Sequence, residues 1–209
     1  MTKVKLAERP LQQRIVSMDK DVTGYDALKL AGSVPIANNK FIDSLLRSGE
    51  WQKHRELFPA WTGTVIIYEA PGRSFGKFVQ SENVLFEIPR EYQGLKNSAL
   101  VLESPNLKVE EHDDKHILTG KIVKIKDFPA SDGWYGADKD TVIPQGEKIS
   151  SSREDARYLW RRNEQYIGPV ARYYDFYGFY YLFYIYDWRL VFAYYSLHHA
   201  LGVARVCAR

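Results

Sequence analysis

The amino-acid sequence predicts an α+β fold: N-terminal helices, a central and mainly antiparallel β-sheet, and a C-terminal helix joined to an aromatic element that is strand or helix. Three observations lead there. Apolar residues recur at helical spacing before residue 60, β-branched runs broken by Gly, Pro and Asn occupy 62–126, and a capping pattern opens a helix at Ser151. A chain of 209 residues, 45% hydrophobic and 26% charged, is long and apolar enough to bury one core.

Taken in order, residues 1–20 carry scattered basic groups with little periodicity and read as a flexible arm, leaving 21–209 as a single α+β domain. Residues 25–30 form a short helix ending before Gly32. Asn39 caps a second, in which Phe41, Leu45 and Leu46 share a face, and its continuation through 51–57 is interrupted by Gly49 and stopped by Pro59. The β-rich part follows, with strands at 64–68, 77–86, 99–102, 107–110 and 117–125. His112, Asp113, Asp114 and Lys115 read as a hairpin turn between two of them. A loop over 127–150, rich in Gly, Pro and Asp, leads to the aromatic and arginine-rich part, 151–209.

There the Ser151 hydroxyl can accept from the backbone near Glu154 while that carboxylate returns a bond, a capping box for a helix running to about Ile167 and limited by Gly168 and Pro169. Residues 179–186 read as a strand. Residues 190–205 fit either a further strand or a terminal helix capped by Asp187, with Leu190, Tyr194, Leu197 and Leu201 as its stripe.

The formal charge of +3 is too small to mark the whole chain as a polyanion binder, but its distribution is one-sided. Residues 151–209 hold eight arginines, five acids and no lysine, while residues 1–150 balance. The same part is dense in rings: 14 of the 23 residues between Tyr173 and Tyr195 are aromatic. Tyrosine offers an apolar face with a hydroxyl that still needs a partner, which suits a ligand groove, an oligomer interface or a base-stacking platform. Arg157 and Arg161, one helical turn apart, and Arg172 are the candidate phosphate forks. The competing reading is a core filled by tyrosine rings, with these arginines paired to Glu154, Asp155, Glu164, Asp175 and Asp187.

A second candidate lies at 131–141, where Asp132, Asp138 and Asp140 accompany Trp134 and Tyr135 on a polar loop. Trp134 and Tyr135 could wall a pocket while Asp132 orients polar groups; the carboxylate spacing does not match an EF-hand. Residues 70–77 (Ala-Pro-Gly-Arg-Ser-Phe-Gly-Lys) superficially resemble a phosphate-covering loop but lack the Gly-Lys-Ser/Thr helix start, and an ordinary hairpin turn is expected. His112 and His116 carry metal-ligand chemistry, yet a polar turn does not converge them and no metal site is assigned. There is no Gly-x-Ser-x-Gly elbow and no dinucleotide fingerprint, Cys207 is the third residue from the end of the sequence, and no motif specifies a cofactor.

The functional expectation is a non-catalytic binding or assembly protein using its Tyr/Arg-rich C-terminal surface, with a second copy of the chain, a protein partner, or a nucleic-acid or phosphate ligand as the partner classes. The alternative is a small hydrolase or transferase with a pocket built from His112, His116, His198 and Asp132. The single cysteine favours a reducing compartment, hence the cytoplasm, and no apolar run is long enough for a membrane helix.

Overall fold

Strand dominates the computed structural model, which describes residues 13–48, 53, 60–125, 128, 133–137, 147–148, 158–162, 166–172, 190–192 and 200–208. The expected α+β balance is corrected accordingly. The described residues form only two α-helices, α1 (Gly24–Ser33) and α2 (Asn39–Ser48), and the C-terminal elements are strands.

A six-stranded sheet contains β1 (Gln13–Thr23), β2 (Ala60–Tyr68), β5 (Ala99–Glu103), β8 (Val123–Ile125), β12 (Tyr166–Arg172) and β14 (Ala200–Ala208). A four-stranded sheet follows the order β3 (Phe78–Ser81), β4 (Val84–Glu87), β7 (Lys115–Gly120), β6 (Leu107–His112). The third, also four-stranded, runs β10 (Glu147–Lys148), β9 (Gly133–Ala137), β11 (Tyr158–Arg162), β13 (Leu190–Phe192).

β2 organises the first sheet. Its residues 61–68 are buried on both faces, which is why 65–68 read as a continuous apolar run rather than an alternation. Trp61, Val65 and Ile67 join one cluster with Leu28 of α1, Leu100 and Leu102 of β5, and Val79, Phe86, Leu107 and Leu118 of the β3–β4–β7–β6 sheet. Each such fully buried aliphatic side chain contributes about 1.5–3 kcal/mol. On the other face the Tyr68 ring packs against Phe128 and Tyr166, with centroids 5.1 and 5.9 Å away.

β12 pairs along one edge of β2, and the other edge is divided: β14 pairs with Ala60 and Trp61, β5 with 64–68. The segment 35–37 fills the division. Gly63 donates its amide hydrogen to Ala37 O (2.8 Å), Ala37 donates to Ala204 O (2.8 Å) and Val206 donates to Pro35 O (3.0 Å). A Cβ on Gly63 would lie 2.7 Å from Ile36 Cγ1, so glycine is what admits this segment.

Polar groups buried at the junction are tied to one another. Thr62 Oγ1 donates to Asn39 Oδ1 at 2.7 Å, the Asn39 amide donates to Thr64 Oγ1 at 2.9 Å, and the Ile36 amide donates to Ser104 Oγ at 3.1 Å. Asn39 is therefore not the α2 cap. That role falls to Asn38, whose Oδ1 accepts from the Phe41 amide at 3.0 Å.

Several further expectations change. Residues 13–20 of the expected arm lie in β1, paired antiparallel to β14 from Gln13↔Ala208 to Thr23↔Ala200. The bidentate ion pair of Arg205 with Asp19 (2.7 and 3.2 Å) links the two strands. The helix expected from Ser151 to Ile167 is replaced, where described, by β11 and the start of β12. The open choice at 190–205 resolves to β13 and β14 in its described residues, and the 127–150 loop contributes β9 and β10. Residues 179–186 lie outside the described residues. Among the described residues no helix is long and apolar enough to cross a membrane.

Candidate ligand-binding face

Two segments that the sequence singled out separately meet in the β10–β9–β11–β13 sheet. β9 carries Trp134 and Tyr135, β11 carries Arg161, and these are the two inner strands. Their antiparallel register sets Arg161 opposite Trp134 and Trp160 opposite Tyr135. Directly paired residues share a face of a sheet, so one arginine and one tryptophan occupy neighbouring positions on one side, and a tryptophan and a tyrosine on the other. Arginine and aromatic residues at such spacing suit planar, anionic ligands.

The remaining candidates are distributed differently. Arg172 pairs with Ala60 in the six-stranded sheet, so register does not join it to Arg161. Arg157 and Asp132 lie outside the described residues, as does His198. The expected helical spacing of Arg157 and Arg161 is overturned because Arg161 lies in a strand. Trp160 and Arg162 were missed. No two-residue alternation marks them, since Tyr158, Leu159 and Trp160 are all apolar and Arg161 and Arg162 both charged, and the segment follows a strong helix-start pattern.

The hairpin at 112–115 forms as expected. β6 and β7 pair through His112↔Lys115, and Asp113 and Asp114 take φ of 43° and 62°, the left-handed pair of a tight two-residue turn. Register separates the two histidines: His116 pairs with Glu111, one position along from His112, and so lies on the opposite face. Among the described residues no group of three or more His, Cys, Asp or Glu side chains is placed to hold a metal.

His116 instead belongs to a contact between α1 and the hairpin. Its ring lies 5.5 Å from that of Tyr25, and its buried Nδ1, without a hydrogen-bond partner, is 3.7 Å from Glu111 Oε1. The Tyr25 hydroxyl donates to the Glu82 carboxylate. Lys29 Nζ reaches Glu111 Oε1 at 2.5 Å. That hydrogen bond and the attraction of the ammonium hold the Glu111 carboxyl below its ordinary range, with His116 adding a little, and the same bond raises the Lys29 amine.

Lys29 also borders an open groove of about 440 Å³, with Asp19, Asp21, Asp26, Lys20 and Ser33 among its walls. Two of these acids are already engaged, Asp19 by Arg205 and Asp26 by the Thr23 hydroxyl at 2.6 Å.

Residues 70–77 do not form the expected hairpin, since the strands on either side, β2 and β3, belong to different sheets. Pro71 and Gly72 (φ 78°) make a turn closed by the Arg73 amide donating to Ala70 O at 3.0 Å. Phe75 is buried and anchors the link through hydrogen bonds with Gly94 and Leu95. At its start, burial pushes the Glu69 carboxyl up, opposed by the Ala70 amide and Arg73.

No family model matches the chain, nor does any curated protein or solved structure.

Proposed function

We propose that this chain is a non-catalytic binding protein whose Tyr/Arg-rich C-terminal part contacts an anionic partner. The observation that carries the reading is the register of β9 on β11, which sets Arg161 opposite Trp134 and Trp160 opposite Tyr135 at the centre of one sheet. The charge distribution supports it, because all the excess positive charge lies in 151–209. A guanidinium offers a planar fork to phosphate or carboxylate and is weakly hydrated, so it binds anions beside rings better than an ammonium does.

Titration with inorganic polyphosphate, followed calorimetrically, tests the reading. Binding is expected at about 50 mM salt and should weaken steeply towards about 200 mM, as counterion release requires. Arg161→Gln is expected to weaken it. Absence of binding at low salt would contradict the anionic-partner reading. Light scattering separates the competing partner, a second copy of the chain: a dimer that Arg161→Gln dissolves would move the arginine's role to assembly.

A further inference from the structure

The contact between α1 and the β6–β7 hairpin is built around one imidazole. His116 shares a face of β7 with the buried Leu118, its side chain is 15% exposed, and its Nδ1 is buried with no hydrogen-bond partner. β6 brings Glu111, paired directly opposite, with Oε1 3.7 Å from that nitrogen. α1 brings the Tyr25 ring, 5.5 Å away between centroids, and the Lys29 ammonium, 2.5 Å from the same Glu111 oxygen. On the other side β4 brings the apolar Val84, and the turn before it brings Glu82, which accepts from the Tyr25 hydroxyl, and Asn83, whose carbonyl accepts from the His116 amide at 2.8 Å. Lys115, the neighbour on its own strand, falls on the opposite face.

We infer that His116 is a proton-sensitive latch: uptake of a proton by its ring turns the Glu111–Lys29 pair into a bridge of three groups that fastens α1 more firmly to the hairpin. The latch is independent of the binding reading above. A neutral imidazole presents either an N–H or a lone pair at Nδ1, and here either one is buried without a partner, which costs free energy. The protonated ring donates from both nitrogens and carries a charge, so Nδ1 then faces a carboxylate oxygen that a small rotation of Glu111 brings within hydrogen-bond reach. A carboxylate accepts at several lone pairs, so Glu111 can serve Lys29 and His116 together, and the shared oxygen offsets the repulsion between the two cations. The face of the Tyr25 ring adds an attraction for a cation that it lacks for a neutral ring. Histidine is the side chain whose ordinary titration falls between about pH 5 and 8. In that range Glu111, lowered by Lys29, stays ionised, and Lys29, raised by Glu111, stays charged. Contacts made only by the protonated ring are present below its titration and lost as pH rises through it.

Amide hydrogen exchange of the full chain, read by mass spectrometry at about pH 7.5 and about pH 5.5 and corrected for the intrinsic change in rate, tests the latch on either side of an ordinary histidine titration. Relative to the rest of the chain, residues 24–33 and 107–120 should gain about two- to fivefold in protection at the lower pH, the size of an ion pair partly open to solvent. His116→Gln should abolish the gain. Glu111→Gln, at an exposed position, should abolish it too while lowering protection at both pH values through the lost Lys29 contact. His112→Gln should keep it, because that histidine is exposed beside Asp113 and lies on the other face of the hairpin. Should His116→Gln fail to fold, the Glu111 and His112 variants decide. Absence of the gain in the parent chain, its survival in a folded His116→Gln or in Glu111→Gln, or its loss in His112→Gln overturns the latch.

Discussion

Asn39→Ala should destabilise the protein by removing a buried hydrogen bond to Thr62, and a double variant with Thr62 allows that bond's share to be isolated. Both side chains are fully buried, and Thr62 Oγ1 donates to Asn39 Oδ1 at 2.7 Å. Alanine removes the acceptor and strands the hydroxyl, while the Asn39 amide keeps its bond to Thr64 Oγ1 because it is backbone. Stranding a buried polar group costs about 1–3 kcal/mol, and alanine's better helix propensity returns only a few tenths. With a urea slope of about 2 kcal/mol/M, the unfolding midpoint should fall by about 0.5–1.5 M at unchanged slope. Thr62→Val should act similarly by removing the donor of the same bond. The double variant removes both ends of the bond, so it should be less destabilised than the sum of the two by about 1 kcal/mol. Single variants within about 0.2 M of the parent, or strict additivity, would refute the claim that this bond holds α2 to β2.

Other expectations follow from particular contacts. In Gly32→Ala the new Cβ would lie 2.7 Å from the Val109 backbone nitrogen, so α1 must lift from β6. A net loss of about 1–2 kcal/mol is expected in thermal unfolding, overpacking outweighing the helix-propensity gain, and a raised midpoint would contradict the packing described. Glu69 has its carboxyl raised, chiefly by burial, so its charged form is disfavoured on folding. Its contribution is fully present below the unfolded pKa and lost as pH rises through the folded one; Glu69→Gln should therefore stabilise the protein at neutral pH and make no difference in strong acid. For Glu111 the sign is opposite. Its carboxyl is lowered by Lys29, so the stabilisation is present above the unfolded pKa and lost as pH falls through the folded one. Carboxyl NMR titration should show the Glu111 midpoint returning upward in Lys29→Met, and an unmoved midpoint would remove Lys29 as its cause.

Legibility in the sequence followed the range of the interactions. Strands β2, β5 and β6 were readable because their β-branched runs and Gly, Pro and Asn punctuation are local, and the Asp113–Asp114 turn has its signal within four residues. The single strands expected at 77–86 and 117–125 are each two: β3 and β4 form a hairpin through Glu82 (φ 51°), a turn without glycine, and β7 and β8 belong to different sheets. β11 was not readable. Its five residues are too few to assert a period against the capping pattern at Ser151, and its partner β9 lies in a stretch that reads as loop. β12 was misread because Gly168 and Pro169 look like a helix stop. Among the described residues β12 pairs only with β2, and Pro169 sits beside a register irregularity on that edge strand, where a missing amide hydrogen is tolerated. β1 and β14 depend on each other across almost the whole chain, and the Asp19–Arg205 pair that accompanies them leaves no local trace. For the site, residue types were legible and placement was not. Arg161, Trp134 and Tyr135 could be singled out by chemistry, but their neighbourhood exists only once β9 and β11, short segments apart in the chain, are paired.

The most direct test of the central claim is ultraviolet cross-linking of the full chain to oligothymidylate, with the attached residues mapped by mass spectrometry. Attachment within 133–192, competed away by inorganic polyphosphate, is the expected result. Binding whose cross-links all fall outside 133–192 would contradict the account.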